Sequence, residues 1–237
     1  MSELVPLDLE HQGVMLRGFV ASPAGSGPFP TVLVMHSALG IGHMAKDVAL
    51  KLAGLGYGAI ATDMYGADAD LGTPTKAGEH YMAMLDVPAL LRERCALWFD
   101  AAAALPQVDA TRIAAIGYCF GGRCVLELAR SGRDAKAFVS YHGILDTHAP
   151  AQPGAIIGEV VAYCGAQDPY APQEQIDGLR DELVAAGARW QITVFGEAAH
   201  GFTDPKARGD APGIAYNAMA DTMSWAGTMA ILQQVLA

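Results

Sequence analysis

The chain has 237 residues, of which 52% are hydrophobic and 17% are charged, and its formal net charge is −10. This length and apolar content are sufficient for one large domain with a substantial core, and they exclude an intrinsically disordered chain. The negative charge and the lack of a Lys/Arg cluster argue against a surface that binds nucleic acid or an anionic membrane.

Neither a signal peptide, a membrane span nor a metal site is expected. The first residues lack a basic region followed by an apolar segment, and no apolar run reaches transmembrane length. Four cysteines in a chain of this length do not form a disulfide framework, and none has the Cys-x-x-Cys spacing of a zinc site. The pairs His36/His43 and His142/His148 also lack the i, i+4 spacing of helical ligands. We therefore expect a cytoplasmic protein with reduced thiols.

The elements in chain order are a hairpin and then strands that alternate with helices. The predicted strands are at residues 5–10, 14–21, 31–35, 58–61, 113–116, 137–141, 160–164 and 190–195. The predicted helices are at residues 44–54, 79–85, 89–105, 123–130, 173–186 and 215–236. A loop of unusual length is predicted at residues 63–78, and loops this long in compact domains are often functional.

This alternation from residue 31 onward predicts an α/β fold, with a doubly wound, mostly parallel sheet and helices on both faces. No repeat or Pro/Gly-rich linker divides the chain, so residues 1–237 are expected to form one domain. Ligands of such sheets bind beyond the carboxyl ends of the strands. The polar residues that directly follow predicted strands are His36, Asp63, Cys119, His142, Asp168 and His200. One edge of the sheet is therefore expected to collect the reactive side chains.

The segment at 117–122 reads Gly-Tyr-Cys-Phe-Gly-Gly and lies between a predicted strand and a predicted helix. This is the context of a G-x-S-x-G nucleophile elbow, with Cys in place of Ser. The helix start places free N–H groups and a positive dipole end beside the sulfur of Cys119, which favours the thiolate. The alternative is that Cys119 is an ordinary buried thiol.

A cysteine nucleophile needs a base within hydrogen-bond reach and a third group that orients the base. In doubly wound hydrolases the chain order is nucleophile, acid, histidine. Cys119, Asp168 and His200 follow that order, and each comes after a predicted strand. An Asp in a Gly/Pro loop is commonly a turn former, but the three residues together favour a catalytic triad.

The sequence resembles the dienelactone hydrolase family of α/β-hydrolases. The matching segments are Gly-Tyr-Cys-Phe-Gly-Gly at 117–122, Gly-Ala-Gln-Asp-Pro at 165–169 and Ala-His-Gly-Phe at 199–202. Asp-Met-Tyr-Gly at 63–66 is similar to the family's Asp-Leu-Tyr segment. The resemblance extends from residue 31 to the last helix and implies the α/β-hydrolase fold.

The resemblance also implies a mechanism and a set of site residues. Cys119, as thiolate, attacks an ester or lactone carbonyl, His200 transfers protons, and Asp168 holds the imidazole of His200. The oxyanion is bound by the backbone N–H groups of Phe120 and Ala38. Water then hydrolyses the thioester, and no metal or organic cofactor is required.

The sequence departs from the family pattern at the expected substrate pocket. The family's founding enzymes carry a Glu where Ser37 stands, and two substrate-binding arginines where Ala77 and Asp204 stand. Tyr81 matches a tyrosine that contacts substrate, and Phe202 is a further candidate that would roof the site. These differences predict a less acidic ester or lactone than the founding enzymes use.

The expected partner is a small-molecule ester or lactone, and the protein is expected to be a monomer or a small homo-oligomer. Two alternatives stay open. In the first, the chain is a catalytically weak family member that binds an apolar ligand or senses thiol oxidation. In the second, it uses the same triad as a thioesterase or amidase.

Overall fold

The computed structural model describes residues 3–209 and 211–237. The strands among these residues are β1 Leu4–His11, β2 Val14–Ala21, β3 Phe29–Met35, β4 Gly58–Thr62, β5 Val108–Tyr118, β6 Ala137–Tyr141, β7 Glu159–Gly165 and β8 Arg189–Phe195. They form one sheet in the order β1-β2-β4-β3-β5-β6-β7-β8. The helices are α1 His43–Gly54, α2 Pro74–Asp86, α3 Pro88–Ala103, α4 Phe120–Arg130, α5 Gln173–Ala185 and α6 Ala218–Val235.

The sheet is mostly parallel, as the sequence predicts. Strands β1 and β2 form the antiparallel hairpin, and β2 also pairs antiparallel with β4. From β4 to β8 every neighbouring pair is parallel. The predicted doubly wound α/β-hydrolase fold is therefore confirmed.

Two hydrophobic cores lie on opposite faces of this sheet. In the first core, helices α3, α4 and α5 pack against the sheet, and Trp98 and Phe138 are fully buried. The other packs α1 and α6 against it, with Leu52 and Leu232 fully buried. Strands between two apolar layers have no face turned to water, which explains the uninterrupted apolar sequence of β3.

Three helix starts differ from those predicted by three residues or more: α4 begins earlier, at Phe120, and the starts of α2 and α6 are set by side-chain caps. Helix α2 begins earlier, at Pro74, where the Thr73 hydroxyl accepts a hydrogen bond from the N–H of Lys76 at 3.3 Å. Helix α6 begins later, at Ala218, because Asn217 caps it. The segment just before α6 instead pairs with the loop after β8, where the N–H of Ala215 donates to the carbonyl of His200.

Within the described ranges, no helix combines the length and the apolar character needed to cross a bilayer.

Candidate active site

Cys119 occupies the sharp turn between β5 and α4. Its backbone has φ 56° and ψ −117°, a strained conformation for a residue with a side chain. Glycines at 117, 121 and 122 make this turn possible. A Cβ on Gly117 would lie 2.0 Å from the carbonyl oxygen of Gly121, and one on Gly121 would lie 2.1 Å from that of Met35. These close approaches leave room only for glycine and hold Cys119 beyond the end of the strand.

The loops after β7 and β8 bring Asp168 and His200 to Cys119. The His200 imidazole bonds to Asp168 through Nδ1, which is 2.8 Å from Oδ2. The same ring is hydrogen-bonded to the thiol of Cys119. The other carboxylate oxygen of Asp168 accepts the N–H of Tyr170 at 2.8 Å. Three residues that are far apart in the chain thus form one hydrogen-bonded series.

The hydrogen bond between Cys119 and His200 shifts the pKa values of both groups. Burial, the largest single effect, raises the pKa of the Cys119 thiol, but His200 and the backbone N–H groups of Ala38 and Phe120 together bring the net pKa below the ordinary value. Burial disfavours the protonated imidazole, yet the bonds to Asp168 and Cys119 raise the pKa of His200 to about 10. Both shifts favour a thiolate–imidazolium pair, the form in which sulfur is nucleophilic.

Two backbone N–H groups also point at the sulfur. Ala38, in the loop after β3, and Phe120, at the first position of α4, each donate a hydrogen bond to Cys119 and lower its pKa. The two donors come from separate segments of the chain, the loop after β3 and the start of α4.

A cavity of about 710 Å³ opens at Cys119 and His200. The apolar side chains that line it come from Leu39, Met44, Val48, Ile144, Pro205 and Ile214. Ser37 and Tyr81 also line it, and burial raises the pKa of Tyr81 to about 12, which keeps its hydroxyl protonated. No arginine occurs among the described residues of this lining.

A family model for the dienelactone hydrolase family matches residues 16–236. The chain belongs to the dienelactone hydrolase family.

Proteins with similar names and sequences support this assignment over most of the chain. A Methylorubrum extorquens protein named "Putative carboxymethylenebutenolidase" is 30% identical over 81% of this chain and 69% of its own length. A solved structure named m3DLH is 33% identical, with a TM-score of 0.91, and the match covers 100% of this chain and 99% of the other. A dienelactone hydrolase-like promiscuous phosphotriesterase from metagenomic libraries is 32% identical, with a TM-score of 0.88 and the same coverage.

The structure separates the candidates for substrate contact in this dienelactone hydrolase family member. Phe202 does not line the cavity. Its ring is fully buried, 5.0 Å from that of His142 and 5.6 Å from that of Phe195. Of the two positions matched to arginines, Ala77 is buried in α2 away from the cavity, whereas Asp204 lines it.

His142 lines the cavity, although the sequence placed it only at a strand end. It follows β6 with φ 37°, and its ring lies 5.1 Å from that of His200. Nε2 is 2.8 Å from the hydroxyl oxygen of Thr203. Burial lowers the pKa of His142, so the imidazole is neutral beside the charged His200. Its position after a parallel strand was the available signal.

Among the residues whose structure is described, no group of three or more His, Cys, Asp or Glu side chains is arranged to hold a metal ion.

Proposed function

We propose that this family member hydrolyses a small, uncharged carboxylic ester or lactone, with Cys119 as nucleophile. One observation carries the proposal. The sulfur of Cys119 meets the His200–Asp168 pair and the N–H groups of Ala38 and Phe120 in the wall of a largely apolar cavity. A thiolate, a proton carrier and two oxyanion donors at one point are the requirements of acyl transfer.

In the acylation step, the thiolate of Cys119 attacks the carbonyl carbon and forms a C–S bond. The carbonyl electron pair moves to oxygen, which accepts hydrogen bonds from Ala38 and Phe120. When the tetrahedral intermediate collapses, the C–O bond to the alcohol breaks and the leaving oxygen takes the proton of His200. The product is a thioester on Cys119, and for a lactone the alcohol remains attached to the acyl group.

Water completes the reaction. Neutral His200, still oriented by Asp168, removes a proton from a water molecule that attacks the thioester carbonyl. A second oxyanion forms in the same place and collapses with cleavage of the C–S bond. The acid leaves and the thiolate–imidazolium pair is restored.

The cavity supports an uncharged substrate. Its described lining is mostly apolar, and its charged groups are of both signs, with Asp47 and Asp204 opposing Lys206. A substrate carboxylate would need a bidentate partner such as Arg, which a single lysine does not replace. The acyl and alcohol portions are therefore expected to be held by apolar contact.

The test is stopped-flow hydrolysis of p-nitrophenyl acetate with acyl-enzyme mass measured after acid quench. Wild type is expected to release a burst of nitrophenolate and to gain one acetyl group on Cys119. Cys119→Ala is expected to lose both signals, and His200→Ala to slow acylation by about 10²–10⁴-fold, the range for general acid–base groups. Cys95→Ala, which removes a fully buried thiol of α3, is the matched control and should retain the burst. Ester hydrolysis by Cys119→Ala at the wild-type rate would rule out the proposed nucleophile.

A second candidate activity is hydrolysis of phosphotriesters. The observation that favours it is the similarity to the promiscuous phosphotriesterase over the whole chain. Thiolate attack at phosphorus would form a P–S bond and displace an aryloxide, with the same two N–H groups facing the phosphoryl oxygen. Water would then cleave the P–S bond and restore the thiolate. Release of nitrophenolate from an aryl dialkyl phosphate by wild type, and its loss in Cys119→Ala, is the corresponding measurement.

A further inference from the structure

His36, the first residue after β3, is fully buried. It opens the loop that contains Ala38, which we call the oxyanion loop. Its Nε2 accepts a hydrogen bond from the backbone N–H of Met64 at 3.0 Å. A backbone N–H can only donate, so Nε2 carries no hydrogen. Burial lowers the pKa of His36 and keeps the ring neutral, so the single ring hydrogen lies on Nδ1.

The Nδ1–H of His36 therefore donates to the carbonyl oxygen of Ser37, at 2.7 Å. That oxygen and the N–H of Ala38 belong to the same planar peptide unit and point in opposite directions. A hydrogen bond that fixes the oxygen thereby fixes the direction of the N–H. The N–H of Ala38 is the one that reaches the sulfur of Cys119.

Tyr65 fixes the next peptide of the same loop. Its hydroxyl donates to the carbonyl oxygen of Ala38 at 3.1 Å. Its ring lies 4.7 Å from that of His36 and 5.6 Å from that of Phe120. Residue 38 is thus held on both of its peptide units, and the side chains that hold it pack against the residue that supplies the other N–H.

The segment after β4 that carries Met64 and Tyr65 is itself held rigidly. The carboxylate of Asp63 accepts the N–H groups of Tyr65 and Gly66 at 2.9 and 3.1 Å. Trp98 donates its ring N–H to the carbonyl of Asp63 at 2.7 Å. The segment is thus a fixed support on which the loop after β3 rests.

We propose that His36 and Tyr65 are positioning residues that aim the Ala38 N–H at the oxyanion. The inference rests on the proposed acyl-transfer function. The polarised series runs from the Met64 N–H through His36 to the Ser37–Ala38 peptide. As negative charge develops on the oxyanion, each donor in the series strengthens the next one. Neither side chain touches the substrate, so both act through the backbone of Ala38.

The first test compares Tyr65→Phe with Tyr163→Phe. Both substitutions remove one hydroxyl and keep a largely buried ring. The hydroxyl of Tyr163, however, lies beside Gly227 on α6, away from the oxyanion loop. Loss of a whole oxyanion donor costs about 10²–10³-fold, so misalignment of one donor in Tyr65→Phe should slow acetylation of Cys119 by about 10-fold. Tyr163→Phe should acetylate at the wild-type rate.

The second test compares His36→Asn with His36→Leu. The two side chains have the same shape, and both leave the N–H of Met64 without its acceptor. Only Asn keeps an N–H donor near the position of Nδ1. We expect acetylation to be faster in His36→Asn than in His36→Leu, by about 10-fold or more, at similar stability to urea.

Alkylation and amide exchange separate positioning from simple loss of the nucleophile. Alkylation by iodoacetamide at saturated carbon forms no oxyanion, so on the high-pH plateau it should proceed at the wild-type rate in all variants that fold. Hydrogen exchange of the peptide that contains residues 36–39 needs no substrate and should be faster in Tyr65→Phe and His36→Leu.

The inference is overturned if exchange and acetylation in Tyr65→Phe both match wild type, or if alkylation falls in parallel with acetylation. If wild type itself forms no acetyl-enzyme, the proposed function fails. Exchange then decides by itself whether the two side chains hold the loop.

Discussion

Cys119 and His200 each stabilise the charged form of the other. Each is largely enclosed, and burial by itself would favour the neutral thiol and the neutral ring. The hydrogen bond between them, with Asp168 behind the ring, reverses both preferences. The site therefore depends on the pair, and removal of either member changes the titration of the other.

At the residue scale, the pair predicts the pH dependence of thiol alkylation. In wild type, the rate with iodoacetamide should rise through a pKa below that of an ordinary thiol, because the thiolate is present before free cysteine ionises. In His200→Ala the burial of Cys119 persists without the positive partner, so the midpoint should move upward from the wild-type value. The rate is followed by intact mass from pH 5 to 11.

Acylation by an alkyl ester, whose alkoxide must be protonated to leave, should in turn decline as His200 loses its proton near pH 10. Coincident alkylation midpoints in wild type and His200→Ala would contradict the pairing.

At the scale of elements, buried ion pairs join α4 to its neighbours on the same face of the sheet. Glu127 of α4 is fully buried and accepts from Arg92 of α3 at 2.8 Å and from Arg130 at 3.0 Å. Arg130 also forms two hydrogen bonds to Glu182 of α5, at 2.7 and 2.8 Å. The helix that begins at Cys119 is therefore anchored at its far end by charges on two other helices.

Arg130→Met should destabilise the protein by about 3–5 kcal/mol, because it leaves buried carboxylates with fewer cationic partners. Arg180→Met is the matched control on α5, where Arg180 is half exposed and pairs with Asp177 and Asp181. There the loss should be about 0–1 kcal/mol. Urea unfolding followed by far-UV circular dichroism measures both, and equal midpoints for the two variants would argue against a role of the buried network.

The helix ends show what local sequence patterns do not contain. Apolar periodicity predicted the buried strands and the bodies of the helices. It missed the start of α2 at Pro74, which is set by the Thr73 cap, and the start of α6, where the preceding residues pair with the His200 loop. Both boundaries depend on hydrogen bonds rather than on apolar spacing, and the second bond is made to a segment that only the fold brings near.

At the scale of the whole molecule, the formal charge of −10 and the charged residues of the cavity both affect which substrates can bind. A negative protein repels anions at low ionic strength, and Asp47 and Asp204 line the cavity itself. Both the overall and the local charge favour neutral substrates.

We expect kcat/KM for p-nitrophenyl hemisuccinate to be at least about 10-fold below that for p-nitrophenyl acetate at 10 mM salt. The difference in kcat/KM between the two esters should become smaller as added salt screens the charges, while kcat/KM for the neutral ester should depend little on salt. Asp204→Asn, which keeps the shape of the side chain, should narrow the gap at low salt. Faster turnover of the anionic ester at all salt concentrations would refute this account of specificity.

The sequence by itself determined the α/β architecture, because continuous apolar strands and amphipathic helices carry their own periodicity. It also placed Cys119, Asp168 and His200 at one edge of the sheet, because the carboxyl ends of parallel strands meet there. Only the tertiary structure decided which neighbours serve them. The ring of Phe202 packs in the core, His142 lines the cavity, and a backbone N–H at the end of another strand donates to His36 and orients its ring. Those outcomes depend on side-chain directions and on hydrogen bonds between segments distant in the chain, and no local pattern encodes either.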